Sequence, residues 1–123
     1  MTLSILIVDD SVPFLEVARQ LLARDGFEVL GTATTSAEAL AQAEALRPQV
    51  ALVDVNLAGE SGFDVARRLV RTDHAAPPSV VLTSTHSEAE YADLIAQSPA
   101  AGFVAKERLS GAAIRLALSG GRR

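Results

Sequence analysis

Hydrophobic and polar positions along this 123-residue chain follow two alternating patterns. Short runs of consecutive apolar residues, typical of buried strands, are separated by longer segments in which apolar residues recur every three to four positions, as in amphipathic helices. The pattern predicts five strand and helix pairs in one domain. Regular alternation of strands with helices is typical of βαβ units, so we expect an α/β fold around a parallel sheet.

Four of the five predicted strands end abruptly at compact polar side chains. The exception is the second predicted strand, 27–30. The four strands, with the polar residues that follow them, are 5–8 with Asp9 and Asp10, 50–53 with Asp54, 80–82 with Thr83 and Ser84, and 103–105 with Lys106, the only lysine. The carboxyl ends of parallel strands share one edge of a sheet, where open α/β sheets bind their ligands. These polar groups are therefore expected to lie together.

Helix boundaries are predicted from capping signals. Asp25-Gly26 ends the first helix and Pro48 follows the second. Thr35 with Glu38, and Ser87 with Glu90, form capping-box patterns at the second and fourth helices, and Ser110 can cap the fifth. Apolar residues set the helical period of each predicted helix, in chain order: Phe14, Val17, Ala18 and Leu21 in the first; Leu40, Ala43 and Leu46 in the second, where they are predicted to face inward; Phe63, Ala66, Leu69 and Val70 in the third; Tyr91, Leu94 and Ile95 in the fourth; and Ile114, Ala117 and Leu118 in the fifth.

Composition narrows the function classes. The net charge of −4 and the pI near 5.1 argue against nucleic-acid binding by this domain, which would need a basic surface. The chain has no cysteine, no apolar segment of membrane-spanning length and no secretory signal pattern, so we expect a soluble, cytoplasmic protein that does not bind membranes. Residues 1–119 are predicted to form the domain, and residues 120–123 a flexible tail.

Three acidic residues are expected to form a cluster. In the 2-1-3-4-5 strand order of flavodoxin-like sheets, the first and third strands are neighbours, which brings Asp9 and Asp10 close to Asp54. Two carboxylates about 5 Å apart repel by roughly 3 kcal/mol at an effective dielectric constant near 20. A hard divalent cation removes this repulsion, and Mg²⁺ suits carboxylates, water and a phosphate oxygen. Zinc fits less well, because His74 and His86 lie in predicted loops away from these strand ends.

Lys106 and Thr83 extend the predicted cluster toward phosphoryl chemistry. A compact ammonium and a small hydroxyl can hold the oxygens of a transferring phosphoryl group, and a carboxylate can be the nucleophile that accepts it. Taken singly, Asp54 is more often a turn or cap residue, Lys106 a solvated edge residue and Thr83 a sheet hydroxyl. The ordered combination of all these residues favours the chemical interpretation.

The ordered set Asp9-Asp10, Asp54, Thr83 and Lys106 closely resembles the receiver domain of two-component response regulators. The resemblance spans essentially the whole chain. It implies a flavodoxin-like (βα)5 doubly wound fold and a phosphoacceptor signalling switch, in which Asp54 accepts a phosphoryl group from a histidine kinase or a histidine phosphotransfer protein. The only catalysis implied is the chain's own phosphorylation and dephosphorylation.

The resemblance also implies individual roles. Asp10, Asp54 and the backbone carbonyl of Asn56 would ligate Mg²⁺ directly, and Asp9 would bind it through water. Thr83 and Lys106 would hold the phosphoryl oxygens. Thr83 and Phe103 would form the switch, and the surface of the fourth helix, fifth strand and fifth helix would contact the output partner.

Further positions follow from the same comparison. Tyr91 and Leu116 are candidate contacts on the output surface, and Asn56 and Thr85 would tune dephosphorylation. Glu107 stands where many receivers have a proline after the lysine, so a trans peptide is expected there, and Ala58 also replaces a frequent proline.

Two alternative functions remain at this stage. The first is a receiver that binds its partner without phosphorylation. The second is a Mg²⁺-dependent aspartyl-phosphate phosphohydrolase of the haloacid dehalogenase type, which would need a second acid two residues after the nucleophile on the first strand, whereas Asp9 is followed by Asp10 and Ser11. A flavin-binding flavodoxin-like protein fits less well, because the loop after the first strand is not rich in small hydroxyl residues. The output partner, a missing output domain and self-pairing stay open.

Overall fold

A five-stranded parallel sheet forms the centre of the computed structural model, which describes residues 2–71 and 76–120. Its strands are β1 (Ser4–Val8), β2 (Glu28–Ala33), β3 (Val50–Asp54), β4 (Ser79–Ser84) and β5 (Gly102–Ala105). They lie in the order β2-β1-β3-β4-β5, and every neighbouring pair is parallel. The predicted strand order 2-1-3-4-5 is therefore confirmed.

Helices cover both faces of this sheet. They are α1 (Val12–Arg24), α2 (Ser36–Leu46), α3 (Gly62–Val70), α4 (Ala92–Gln97) and α5 (Gly111–Leu118). Side chains of β1 alternate between two apolar clusters: Leu6 and Val8 pack with α2 and α3 on one face, and Ile5 and Ile7 pack with α1 and α5 on the other. Because both faces are buried, the central strands must be apolar at nearly every position, as the sequence pattern indicates.

The predicted caps of α2 and α5 are present, and α1 has a cap that the sequence did not predict. Thr35, Ser110 and Ser11 accept hydrogen bonds from backbone N–H groups in the first turns of α2, α5 and α1. The capping box of α2 differs from its prediction, because Glu38 accepts its strongest hydrogen bonds from the backbone N–H and the hydroxyl of Thr34, the residue before the cap.

The start of the fourth helix also differs from the prediction. Glu88–Tyr91 forms a 3-10 turn, and α4 proper begins only at Ala92. The Ser87 side chain makes no capping hydrogen bond, since the backbone N–H of Glu90 already donates to the Ser87 carbonyl oxygen at 3.2 Å. The amide that a capping box would satisfy is thus already used.

Leu46 is less buried than its predicted inward position implies. Its side chain is 40% exposed, whereas Ala43, one turn earlier on the same helix face, is buried. Leu46 lies over Gly31 of the edge strand β2, and a glycine offers no side chain to cover it. Leu94 of α4 is exposed as well, while Ile95 is buried as expected.

A short hairpin that the sequence did not predict follows β3. Asn56–Leu57 pairs antiparallel with Glu60–Ser61. The two turn residues, Ala58 and Gly59, have φ angles of 48° and 93°, as the two-residue turns of hairpins require. The Glu60 carboxylate accepts hydrogen bonds of 2.9 Å from both the backbone N–H and the hydroxyl of Ser36, which fastens this hairpin to the start of α2.

Within residues 2–71 and 76–120, no helix has the length and apolar character needed to cross a membrane. His74, part of the predicted turn before β4, and residues 121–123 of the predicted tail lie outside the described residues.

Gly62→Ala is expected to lower the free energy of unfolding by roughly 3 kcal/mol. A Cβ atom at Gly62 would lie 2.0 Å from the Asp54 carbonyl oxygen and 2.7 Å from the Val55 Cα, so α3 would have to move off β3. Chemical denaturation measures the loss. Gly59→Ala is the matched control: its Cβ would meet no atom within 4 Å, and only the positive φ should cost about 1 kcal/mol. Equal losses in the two variants would contradict the close approach of α3 to β3.

Candidate functional site

Three acidic side chains converge at the carboxyl edge of the sheet. One carboxylate oxygen from each of Asp9, Asp10 and Asp54 lies within 4.8 Å of the other two. Asp9 is fully buried, Asp54 is 7% exposed and Asp10 is exposed. The cluster forms because β1 and β3 are adjacent and in register, as the predicted strand order requires.

Local backbone turns orient the two buried carboxylates. Oδ1 of Asp9 accepts a hydrogen bond from the Ser11 backbone N–H at 2.9 Å, and Oδ1 of Asp54 accepts one from the Asn56 N–H at 3.0 Å. In both residues the second oxygen, Oδ2, is turned toward Lys106.

The Lys106 ammonium bridges these two carboxylates. Its Nζ lies 2.7 Å from Oδ2 of Asp9 and 3.0 Å from Oδ2 of Asp54, and its side chain is only 14% exposed. Burial alone would lower the pKa of Lys106, but the bonds to Asp9 and Asp54 outweigh it and raise the pKa above its ordinary value. Lys106 therefore stays charged and neutralises one of the three acidic groups.

Asp9 is the most deeply buried member of the cluster. Its Oδ2 is paired with the Lys106 ammonium at 2.7 Å, and this oxygen has no other partner among the described residues. Burial raises the pKa of Asp9, and the nearby charge of Asp54 adds to the rise, while Lys106 and the Ser11 N–H oppose it. The cluster thus keeps uncompensated negative charge that a further cation could neutralise.

The donor set fits a hard divalent cation. Three carboxylates with one bridging ammonium leave excess negative charge, and oxygen ligands of this kind suit Mg²⁺. Neither cysteine nor histidine belongs to this cluster in the part of the chain that the structure describes, which disfavours zinc.

Thr83 lies beside Asp54 on the neighbouring strand. The two residues are register partners of β4 and β3, and Thr83 is fully buried. Its Oγ1 forms no hydrogen bond within residues 2–71 and 76–120. A buried hydroxyl without a partner is costly, so this group fits a role in which an incoming oxygen completes its bonding. A contact of Thr83 with a phosphoryl group stays a prediction.

A cavity of about 200 Å³ opens beside Asp54. It has room for several water molecules at about 30 Å³ each. Its walls are formed by Asp10, Asp54, Asn56, Ser84, Thr85, His86 and Tyr91. The side chains that the sequence placed at this edge and that the structure brings together are therefore Asp9, Asp10, Asp54 and Lys106, with Asn56 and Thr85 in the adjoining wall.

Sequence reasoning missed part of this surrounding wall. The sequence predicts only a loop position for His86, yet this residue lines the cavity with its ring 6.3 Å from that of Tyr91. The sequence predicts only the periodic face of α1 for Phe14, yet its ring centre lies 4.4 Å from the Lys106 Nζ. Neither contact has a signal in the sequence, because both depend on how loops and helix ends fold over the edge of the sheet.

The predicted switch residue Phe103 lies apart from the acidic cluster. Phe103 is half-buried and packs against the apolar cluster on the α3 face. It also lines a groove of about 770 Å³, which runs over β5 between the Glu88–Tyr91 turn and α5. Leu116, at the rim of this groove, is 66% exposed. Tyr91 is half-buried and contacts Phe63, with ring centroids 6.0 Å apart. Among the described residues no peptide bond is cis, which includes the expected trans bond between Lys106 and Glu107.

Comparisons with known proteins agree with this arrangement. A family model described as the response regulator receiver domain matches residues 5–116. The chain is 36% identical over 106 residues to a protein-glutamate methylesterase/protein-glutamine glutaminase from Geobacillus kaustophilus, covering 85% of this chain and 30% of that protein. It is also 36% identical over 110 residues to the positive alginate biosynthesis regulatory protein of Pseudomonas aeruginosa, covering 85% of this chain and 41% of that one.

Solved structures are similar as well. A two-component response regulator of the LuxR family from Aurantimonas sp. superimposes with a TM-score of 0.81 at 26% identity, covering 100% of this chain and 89% of that one. The chain spans less than half the length of the two curated relatives described above.

Mg²⁺ is expected to raise the melting temperature of the protein, because a ligand that binds only the folded state stabilises it by about 2.7 kcal/mol at 100 times its Kd. Asp10→Asn should remove most of this effect, since it deletes one charge from the cluster without changing side-chain size. Thermal unfolding with and without Mg²⁺ measures the shift. Glu28→Gln, an exposed acid at the amino end of β2, is the control and should keep the full shift. An equal shift in Asp10→Asn and the wild type would contradict the metal site.

Proposed function

Because this chain belongs to the family of response regulator receiver domains, we propose that the Asp54 carboxylate accepts a phosphoryl group and that the resulting acyl phosphate operates a signalling switch. The observation that carries this proposal is the position of Asp54 between Lys106 and the open cavity. One of its oxygens faces the Lys106 ammonium at 3.0 Å, and the residue lines the wall of the cavity into which a donor could reach.

The donor is a phosphohistidine of a histidine kinase or a histidine phosphotransfer protein. An Asp54 oxygen attacks the phosphorus atom, a P–O bond forms as the P–N bond breaks, and the histidine nitrogen leaves as the neutral imidazole once it is protonated. The cavity at the carboxyl edge of the sheet leaves one approach to Asp54 open. The chain's own chemistry is then limited to gaining and losing this phosphoryl group.

Charge neutralisation at the phosphoryl group comes from several residues. Lys106 already contacts Asp54 and can hold a phosphoryl oxygen with a small shift of its ammonium, and the Thr83 hydroxyl can donate to another. Asp9, Asp10, Asp54 and the Asn56 backbone carbonyl would hold Mg²⁺, which supplies positive charge beside the transferring group when it is bound. Because phosphoryl transfer depends mainly on positioning and charge, these groups suffice.

Phosphorylation would alter the groove over β5. A phosphoryl group on Asp54 changes the partners of Lys106 and Thr83, and Thr83 is the register partner of Val104 next to Phe103 on β5. A change in the Phe103 rotamer would reshape the groove between the Glu88–Tyr91 turn and α5, where an output partner binds. That partner is either a separate protein or a further domain of a longer chain, and self-pairing through this surface is a third arrangement.

Asp54→Asn should abolish phosphorylation by a small acyl-phosphate donor in the presence of Mg²⁺, because the amide cannot act as the nucleophile. Mass spectrometry of the intact protein detects the added phosphoryl group. Asp93→Asn, an exposed acid on α4, is the control and should be modified like the wild type. Failure of the wild type to be modified would favour binding without phosphorylation, and modification of Asp54→Asn would place the acceptor elsewhere.

Thr83→Ala should still be phosphorylated but should transmit the change poorly. Addition of beryllofluoride and Mg²⁺, which mimic the phosphoryl group, is expected to shift the NMR resonances of Phe103 and Leu116 in the wild type and to shift them by less than half as much in Thr83→Ala. Thr32→Ala, a hydroxyl deletion on the edge strand β2, serves as the comparison. Shifts of equal size in all three proteins would contradict a role of Thr83 in transmission.

A further inference from the structure

The ring of Phe14 covers one side of the Lys106 ammonium. The Lys106 Nζ lies 4.4 Å from the centre of this ring, well inside the distance over which a cation is attracted to an aromatic face. The attraction is stronger where water is excluded, and the Lys106 side chain is only 14% exposed. Phe14 is therefore a third contact of this ammonium, beside the carboxylates of Asp9 and Asp54.

Phe14 completes the enclosure of the ammonium. A lysine ammonium carries three N–H donors on a flexible four-carbon stem, so two carboxylates on one side do not fix its position. Oδ2 of Asp9 and Oδ2 of Asp54 occupy one part of its surroundings at 2.7 and 3.0 Å, and the ring occupies another. The aromatic face thus takes a place where water or another acceptor would compete for Lys106.

The position of Phe14 is itself tied to the acidic cluster. Its backbone N–H donates to the Ser11 hydroxyl at 3.3 Å, and the Ser11 N–H donates to Oδ1 of Asp9 at 2.9 Å. Its half-buried ring also packs against the apolar cluster between α1 and α5. Asp9, Ser11, Phe14 and Lys106 therefore form a closed loop of contacts that returns to Asp9.

We propose that Phe14 is a positioning residue for phosphoryl transfer to Asp54, an inference that rests on the function proposed above. When the phosphoryl group arrives, the charge at Asp54 changes and Lys106 must exchange a carboxylate oxygen for a phosphoryl oxygen. The ring keeps the ammonium beside Asp54 during this exchange, so that it moves toward the phosphoryl group and not into solvent. Phe14 touches neither the donor nor the reacting atoms; it acts through Lys106.

Phe14→Leu is expected to slow phosphorylation by a small acyl-phosphate donor about tenfold, because it keeps an apolar side chain but removes the aromatic face. Phe14→Tyr restores an aromatic face and should react at nearly the wild-type rate. The rates are measured by mass spectrometry at saturating Mg²⁺, with circular dichroism to show that each variant is folded. Replacing Phe14 by phenylalanines with increasing ring fluorination should lower the rate step by step at almost constant shape.

Phe27→Leu provides the matched control. The Arg115 guanidinium carbon lies 4.4 Å from the centre of the Phe27 ring, so this variant loses the same kind of contact. That contact lies beside the amino-terminal end of β2 and does not involve Lys106. The variant should lose stability without a change in the phosphorylation rate. A merely structural role of Phe14 predicts instead that Phe14→Leu and Phe27→Leu behave alike.

An NMR measurement tests the contact without any phosphorylation. The ε-methylene protons of Lys106 should resonate upfield in the wild type and in Phe14→Tyr, because they lie near the aromatic face, and should return toward ordinary lysine values in Phe14→Leu. Absence of the upfield shift in the wild type would overturn the inference whatever the phosphorylation assay shows.

The two proposals fail in distinguishable ways. If the wild type accepts no phosphoryl group, the proposed function of Asp54 is overturned, and the role of Phe14 with it, even where the ring contact is present. If the wild type is phosphorylated and Phe14→Leu reacts as fast as Phe27→Leu, only the role of Phe14 is overturned.

Discussion

The ion pairs of Lys106 with Asp9 and Asp54 are the interactions on which the functional edge of this domain depends. Three carboxylates meet within 4.8 Å, and two of them are buried, which would be unfavourable without a compensating charge. One lysine offsets part of the repulsion and leaves the remainder for an additional cation. The resulting balance is sensitive to any new charge at Asp54, because the same ammonium serves both carboxylates. Structural stabilisation and the proposed response to a phosphoryl group would therefore both follow from a single arrangement.

The sheet provides this arrangement through its strand order. Asp9 and Asp54 meet because β1 and β3 are adjacent, although the two residues are 45 positions apart in the chain. Lys106 arrives from β5, two strands farther along, and needs its long side chain to cross β4 and reach both carboxylates. An arginine or a shorter amine at that position would have a different reach and geometry. Backbone topology and side-chain length thus jointly determine which groups come into contact.

The sequence predicted those parts that depend on burial and strand order, and missed those that depend on loop geometry. Continuous apolar runs identified the strands because both sheet faces are covered, and the polar residues after them identified Asp9, Asp10, Asp54 and Lys106. The start of the fourth helix was predicted wrongly, because the Ser87–Glu90 pattern suits a capping box as well as a 3-10 turn. In the structure, the Glu90 N–H donates to the Ser87 carbonyl oxygen and not to the Ser87 side chain. The hairpin after Asp54 was missed because its turn uses an alanine, a residue that is uncommon at positive φ.

The fastening of that hairpin makes the surroundings of Asp54 unequal in stiffness. In the segment after β3, Glu60 holds the hairpin against α2 with two hydrogen bonds, and Gly62 allows the start of α3 to contact the backbone of β3 directly. In the segment after β4, the Glu88–Tyr91 turn has no side-chain cap and buries none of its residues. Strain introduced at the carboxylate will meet less resistance there, since segments with few buried contacts open most readily. A conformational change that starts at Asp54 should therefore spread toward the Glu88–Tyr91 turn and not toward the hairpin and α3.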